Sequence, residues 1–201
     1  MREKNLILTV LAALTLLWAN GCTTVRQTDP ARTATEQLLL STAADRAVED
    51  VILSQFANKK VFLDTAYFDS YDSKYAIGAI RDALSRAGAL LMAESKGSEI
   101  TIEARSGALS TDDRTYLLGL PAMAIPIPLA GTVPTPEIAL YKSSKQYSTA
   151  KFALLAYMTQ SREHVFSSGA MVGRAFDNYF KIVFVPIHRT DVPEIKKKKT
   201  R

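Results

Sequence analysis

Residues 99–109, EITIEARSGAL, alternate without a break: Ile100, Ile102 and Ala104 fall on one face, Glu99, Thr101, Glu103 and Arg105 on the other. A period of two is the mark of a β-strand with one face against a core and one in water. The stretch predicts a strand in an open sheet covered on a single side. The cover has to come from the flanking segments.

Upstream there are two helical patterns. Leu40, Ala44, Ala47, Val48, Val51, Ile52 and Phe56 recur at helical spacing, and Thr33 stands three residues before Glu36, as in a capping box. Residues 73–87 repeat the pattern with Ile77, Ile80, Leu84 and Ala87, with Asp72 or Ser73 as the N-terminal cap and Gly88 as the left-handed stop. Between and after the helices, VFLDT (61–65) and ALLMAES (89–95) read as short strands. Downstream, residues 148–158 and 164–168 read as a hairpin turning through TQSRE (159–163), and NYFKIVFVPI (178–187) as a last strand. Two helices packed on one face of a mixed sheet, an α+β two-layer sandwich, is the economical arrangement. It is expected to occupy residues 34–195 as a single domain.

One part of that domain does not fit the alternation. Residues 111–137 hold five of the chain's eight prolines, Pro121, Pro126, Pro128, Pro134 and Pro136, and no charge between Tyr116 and Pro136. Proline fixes φ and removes a hydrogen-bond donor, which argues against a membrane helix or an interior strand. The expectation is a long, extended, apolar loop, with Asp112 and Asp113 in a turn at its start. It has two readings: a crossing laid over the chain's own sheet, or a surface for a partner or a membrane, because long loops and exposed apolar patches are so often functional. On the second reading Leu117, Leu120, Met123, Ile125, Ile127 and Leu129 are the contact residues.

The ends of the chain carry an address. Arg2 and Lys4 precede the uncharged run NLILTVLAALTLLWA (5–19), which is shorter than the ~20 residues needed to span a bilayer. Residues 1–21 therefore read as an export signal. Ala19, Asn20, Gly21 and Cys22 resemble the bacterial lipobox, in which the cysteine is acylated and becomes the new N-terminus. Cys22 is the only cysteine, so no disulfide can form within the chain. The resemblance implies a palmitate-bearing lipoprotein, anchored but not spanning. Thr23 after the cysteine implies the periplasmic face of the outer membrane. Residues 22–33 are then a polar linker that would reach ~35 Å if extended.

Charge separates along the same lines. Of the net +5, the signal contributes +1 and the tail residues Lys196, Lys197, Lys198, Lys199 and Arg201 contribute +5, leaving a body near −1. A nucleic-acid-binding body is not supported. The tail (196–201) reads as a solvated end or as a contact with an anionic surface. No catalytic residue, metal set or cofactor motif stands out: His164 and His188 lie apart from any cysteine or carboxylate cluster, and VFSSGAMVG contains no GxSxG elbow. Asp64, Asp69 and Asp72 around the loop after VFLDT could hold a cation or line a hydrolase cleft, or serve as turn and cap residues.

The order of helix, VFLDT, helix, ALLMAES, ITIEARSGA and a hairpin ending in VFSSG is similar in layout to a periplasmic domain. It is shared by the curli-secretion lipoprotein, lipoprotein activators of penicillin-binding proteins and a flagellar outer-membrane lipoprotein. KKVFLDT, KGSEITIEARSGA and TDVPE also resemble a family of bacterial lipoproteins of unknown function, over roughly residues 33–194. The resemblance implies a binding or assembly role and no chemistry. The expected function is docking of another envelope component, with a secretion-pore subunit or a periplasmic hydrolase as alternatives. In the curli-secretion family, hairpins of a comparable domain line a pore; the five prolines argue against unbroken barrel strands here.

Overall fold

The computed structural model describes residues 32–70, 72–127 and 131–192. Helix α1 spans Ala34–Glu49 and starts with the expected capping box: the Glu36 amide donates to Thr33 Oγ1 at 3.2 Å and the Thr33 amide to Glu36 Oε2 at 2.6 Å. It ends sooner than the apolar stripe suggests. Ile52 is exposed, and Phe56 is buried from a single 3-10 turn at Ser54–Phe56. Helix α2 spans Ser73–Arg86 and stops at Gly88, whose φ of 87° is the left-handed conformation. Asp72 precedes α2 without capping it through its side chain and instead pairs with Arg32 at 2.9 Å.

Among the described residues nine strands follow in the order β1 (Lys60–Asp64), β2 (Leu90–Met92), β3 (Ile100–Leu120), β4 (Ala124–Ile127), β5 (Gly131–Pro134), β6 (Ile138–Met158), β7 (His164–Ser167), β8 (Met171–Ile182) and β9 (Val185–Thr190). The main sheet runs β2-β1-β3-β6-β8-β9, with β7 also on β6; β4 and β5 make a separate two-stranded sheet. β1 pairs in parallel with β2 and β3, and the rest is antiparallel, so the sheet is mixed. Both helices pack on the sheet, and the fold is α+β without a closed barrel.

The core forms where the helices lie. Leu39, Ala43, Ala44, Ile80 and Leu84 meet Ile102, Ala104, Ala150, Phe152, Leu154 and Ala156, all essentially without solvent contact. The predicted inner face of residues 100–104 is the observed one. Thr101, expected to meet water, is buried and bonded to Thr159 Oγ1 at 3.0 Å. α1 lies so close to β8 that a Cβ at Gly173 would overlap backbone atoms of Ala43 and Ala47. Arg46 then ties the helix to the end of β9, with Nη1 2.6 Å from Asp191 Oδ2 and Nη2 2.7 Å from the Asp191 carbonyl.

The structure corrects three expectations about strands. Residues 111–120 are not loop: β3 continues through Asp112 and Asp113, which pair with Tyr147 and Gln146, to Leu120 opposite Ile138. Pairing along the partner strand outweighs the local turn preference of aspartate. β6 correspondingly begins at Ile138, ten residues before the expected start at Ser148. The prolines bound the ladder instead of forbidding it, because Pro121 follows its last pair and Pro136 precedes it; Pro126 and Pro134 sit in β4 and β5, which are both edge strands. Finally, residues 178–187 hold two strands, β8 and β9, joined by a tight turn at Val183 and Phe184.

Gly173→Ala is expected to push α1 off the sheet and to cost about 3 kcal/mol, which corresponds to roughly 6–12 °C in Tm. Gly78→Ala, inside α2 with open space around it, is the control and should leave Tm unchanged or raise it. Thermal unfolding followed by circular dichroism reads both.

Candidate functional site

From Asp112 outward no side chain of β3 is fully buried. Here β3, β6, β8 and β9 continue past the helices as a four-stranded arm. Residues paired across an antiparallel ladder share a face, and successive pairs alternate between faces. The rows can therefore be assigned.

On the helix-side face, the core row Leu109–Ala150–Gly173 is followed by Thr111–Ser148–Ala175, then Asp113–Gln146–Asp177–Thr190. Beyond these come Thr115–Ser144–Tyr179–His188 and Leu117–Lys142–Lys181–Pro186. The face turns polar where the helices end. The opposite face does the reverse. Its row Arg114–Lys145–Asn178–Arg189 is polar and basic, and the next two are Tyr116–Ser143–Phe180–Ile187 and Leu118–Tyr141–Ile182–Val185. Leu118 is 64% exposed, and Tyr116, Ile182 and Val185 are exposed with it. Ser143 is buried among its neighbours and Phe180 and Tyr141 are half-buried, so the uncovered surface is that of Tyr116, Leu118, Ile182, Val185 and Ile187.

The end of the arm adds to this surface. Leu120, Met123, Ile125, Val133, Ile138 and Leu140 are exposed at the β3–β6 tip, and Phe184, in the β8–β9 turn, is 88% exposed. The Val183 amide donates to the Leu140 carbonyl at 2.8 Å, so the turn is clasped to β6 at a register shift near Leu140. Val183 has a φ of 54°, an outlier for a β-branched residue. Gly119 is required at the same level, since it has a φ of 150° and a Cβ there would overlap the Ile138 carbonyl oxygen.

Of the six predicted contact residues, Leu120, Met123 and Ile125 are exposed at this tip, and Leu117 is half-buried on the helix-side face. Ile127 lies on β4, and Leu129 is outside the described residues. Cys22 and the tail residues Lys196, Lys197, Lys198, Lys199 and Arg201 are likewise outside them. The β8–β9 contribution was not anticipated. Its signal was present in the run IVFV (182–185), four consecutive apolar residues that are all exposed.

The surface is basic at its margin. Among the described residues, Arg114, Lys145, Lys181 and Arg189 form no ion pair, while Lys142 is held by Glu137 at 2.9 Å. Lys145 Nζ sits 5.6 Å from the Phe180 ring centroid, within cation–π range.

Other groups with chemical potential are held in local structure. Asp64 Oδ1 accepts from the Ala66 amide at 2.9 Å in a turn, Asp69 offers its carbonyl to Ser106, and Asp72 pairs with Arg32. The three do not converge, and among the described residues no group of three or more His, Cys, Asp or Glu side chains could hold a metal ion. His188 Nε2 is 2.6 Å from Asp177 Oδ1, exposed on the helix-side face of the arm. An apolar groove of about 400 Å³ lies between the helices, lined by Leu38, Leu40, Ala44, Tyr75, Ala76 and Leu109. Burial, with a hydrogen bond to Asp45, raises the Tyr75 hydroxyl above its ordinary pKa, so it stays protonated as a donor. No helix among the described residues is long and apolar enough to cross a membrane.

Fold and surface together define an α+β domain that extends one of its sheets into an arm with an uncovered apolar end. The chain belongs to a family of unknown function, DUF6655, whose model matches residues 16–194. No curated protein matches the chain significantly.

Gly119→Val is expected to break the pairs Gly119–Ala139 and Leu120–Ile138 while leaving the core intact. Hydrogen exchange should speed up over residues 116–120 and 138–141, with unchanged protection at Ile102 and Leu154.

Proposed function

We propose that this chain is a lipid-anchored envelope protein of binding or assembly type, acting without catalysis and docking another envelope component through the end of its β-arm. The observation that carries the reading is the apolar surface formed by Tyr116, Leu118, Ile182, Phe184 and Val185, which nothing in the described chain covers. An exposed apolar patch of this kind marks an interaction site. The sequence supports the anchor: the basic start, the uncharged run and the lipobox-like residues before Cys22 fit a lipoprotein at the periplasmic face of the outer membrane.

The lengths of β3 and β6 favour a second reading, a pore subunit. Each runs for 21 residues, well past the ~9–11 that cross a bilayer as a tilted strand. β8 and β9 weigh against it. They turn at Val183–Phe184, about five residues beyond the basic row, so half of the arm is too short to span.

A photo-crosslinking residue at Leu118, with Ile102 as the buried control, tests docking in living cells. A discrete adduct at Leu118 alone, to protein or to lipid, is the expected result; a Leu118 that crosslinks to nothing outside its own chain would sink the reading. The anchor is tested separately. Cys22→Ser should abolish incorporation of labelled palmitate and release the protein from the membrane fraction, and retained label would refute lipidation at that residue.

A further inference from the structure

The arm's end is built unlike a surface that only has to stay in water. A two-residue β-hairpin turn ordinarily takes Asn-Gly or another glycine-containing pair, because its first central position, and in one type both, takes a positive φ. Here the turn is Val183-Phe184, with Val183 in the left-handed region and Phe184 88% exposed. Residues 182–185 are all apolar and all exposed. Within the folded chain the arrangement returns one hydrogen bond, from the Val183 amide to the Leu140 carbonyl, and leaves the four side chains in water; backbone outliers of this kind point to a functional constraint at the site.

Charge identifies the occupant. Arg114, Lys145 and Arg189 form one row across the apolar face, and Lys181 stands on the other side of the sheet at the level of Leu118. None forms an ion pair among the described residues, Lys145 lying over the Phe180 ring. Between Tyr116 and Pro136 there is no charge at all. On that face the order along the arm is thus a band of cations, then the row holding Tyr116, Phe180 and Ile187, then Leu118, Tyr141, Ile182 and Val185, with Phe184 at the limit, while Glu137 at the tip is neutralised by Lys142. That order matches a lipid leaflet from outside inward: phosphates, the interfacial zone where tyrosine is enriched, then acyl chains. The four residues from Arg189 to Val185 span ~14 Å along the strand. An inclined sheet would therefore reach the 5–10 Å depth at which interfacial elements bury their apolar faces. A second copy of the chain would bring the same unpaired cations to the contact.

We infer that the end of the arm enters the interface of a lipid leaflet, with Phe184, Ile182, Val185 and Leu118 among the acyl chains and Arg114, Lys145, Lys181 and Arg189 on lipid phosphates. The inference rests on the arm being the docking surface and specifies what it docks.

The test uses the full chain with Cys22→Ser, which removes the only native thiol. Phe184→Cys is labelled with an environment-sensitive fluorophore, and Ser161→Cys, exposed at the opposite end of the sheet, is the control. Vesicles are phosphatidylcholine alone or with phosphatidylglycerol. A blue shift at position 184 but not 161, on the anionic vesicles and weakened by salt, is the expected result. Lys145→Glu with Arg189→Glu, both exposed or half-buried on the surface, should weaken vesicle binding about fivefold or more per charge removed. A shift of equal size on pure phosphatidylcholine would overturn the phosphate contacts. No shift on any vesicle, together with a discrete protein adduct at Leu118 in cells, would overturn the lipid occupant and keep the docking arm. No shift and no adduct would overturn both.

Discussion

The unbroken antiparallel pairing of β3 with β6 is the constraint on which the molecule depends. It runs from Ile100–Met158 to Leu120–Ile138, with register shifts only beside Gly107 and Gly119. Its inner half receives β1 on one side and β8 on the other and is closed by α1 and α2. Its outer half has no helix over it. One ladder therefore belongs to two environments, and the side chains change accordingly: apolar toward the helices up to Ala150, polar on that face beyond Ser148, and apolar on the opposite face from Tyr116 outward. A sheet can carry such an inversion because each face has its own period-two series of residues, which can change polarity independently.

The core was legible because each segment that forms it obeys a single period. Thr33 and Glu36 cap α1 as their spacing predicts, Gly88 ends α2, and the alternation of residues 100–104 gives the inner face of β3. The arm was not legible for the same reason in reverse. With both faces of residues 111–117 in water there is little alternation to read, TDDR resembles a turn, and the prolines that bound the ladder look as though they prohibit it. What makes Asp112 a strand residue is Tyr147 across from it, thirty-five positions away in the chain. Such pairing is a tertiary effect that local propensity does not encode.

The candidate site divides along the same line. Leu120, Met123 and Ile125 could be singled out from an uncharged, proline-rich stretch, and they are exposed at the tip. Ile182, Phe184 and Val185 could not, because IVFV reads as the middle of one strand unless a turn is allowed there without glycine or asparagine. The structure places the turn where the sequence offers no turn residue. The outlier at Val183 is thus also the reason the second half of the surface is not legible in the sequence.

An open sheet with an apolar face and free edges is an aggregation hazard, and the cations beside it are one of the devices that limit self-association. Their placement does more than that. Scattered charge would keep the arm soluble equally well, whereas Arg114, Lys145 and Arg189 are aligned in one row bordering the apolar face. Alignment gives the surface a direction, so that a ligand with a layer of negative charge over an apolar layer fits it in one orientation. If Cys22 carries acyl chains as proposed, affinity for the membrane is already supplied, and a second contact acts at the high effective concentration set by the linker. A weak contact is then sufficient, and its consequence is the orientation of the domain. This accounts for a surface that is apolar, strained at Val183, and bordered by a row of cations on the side toward the core.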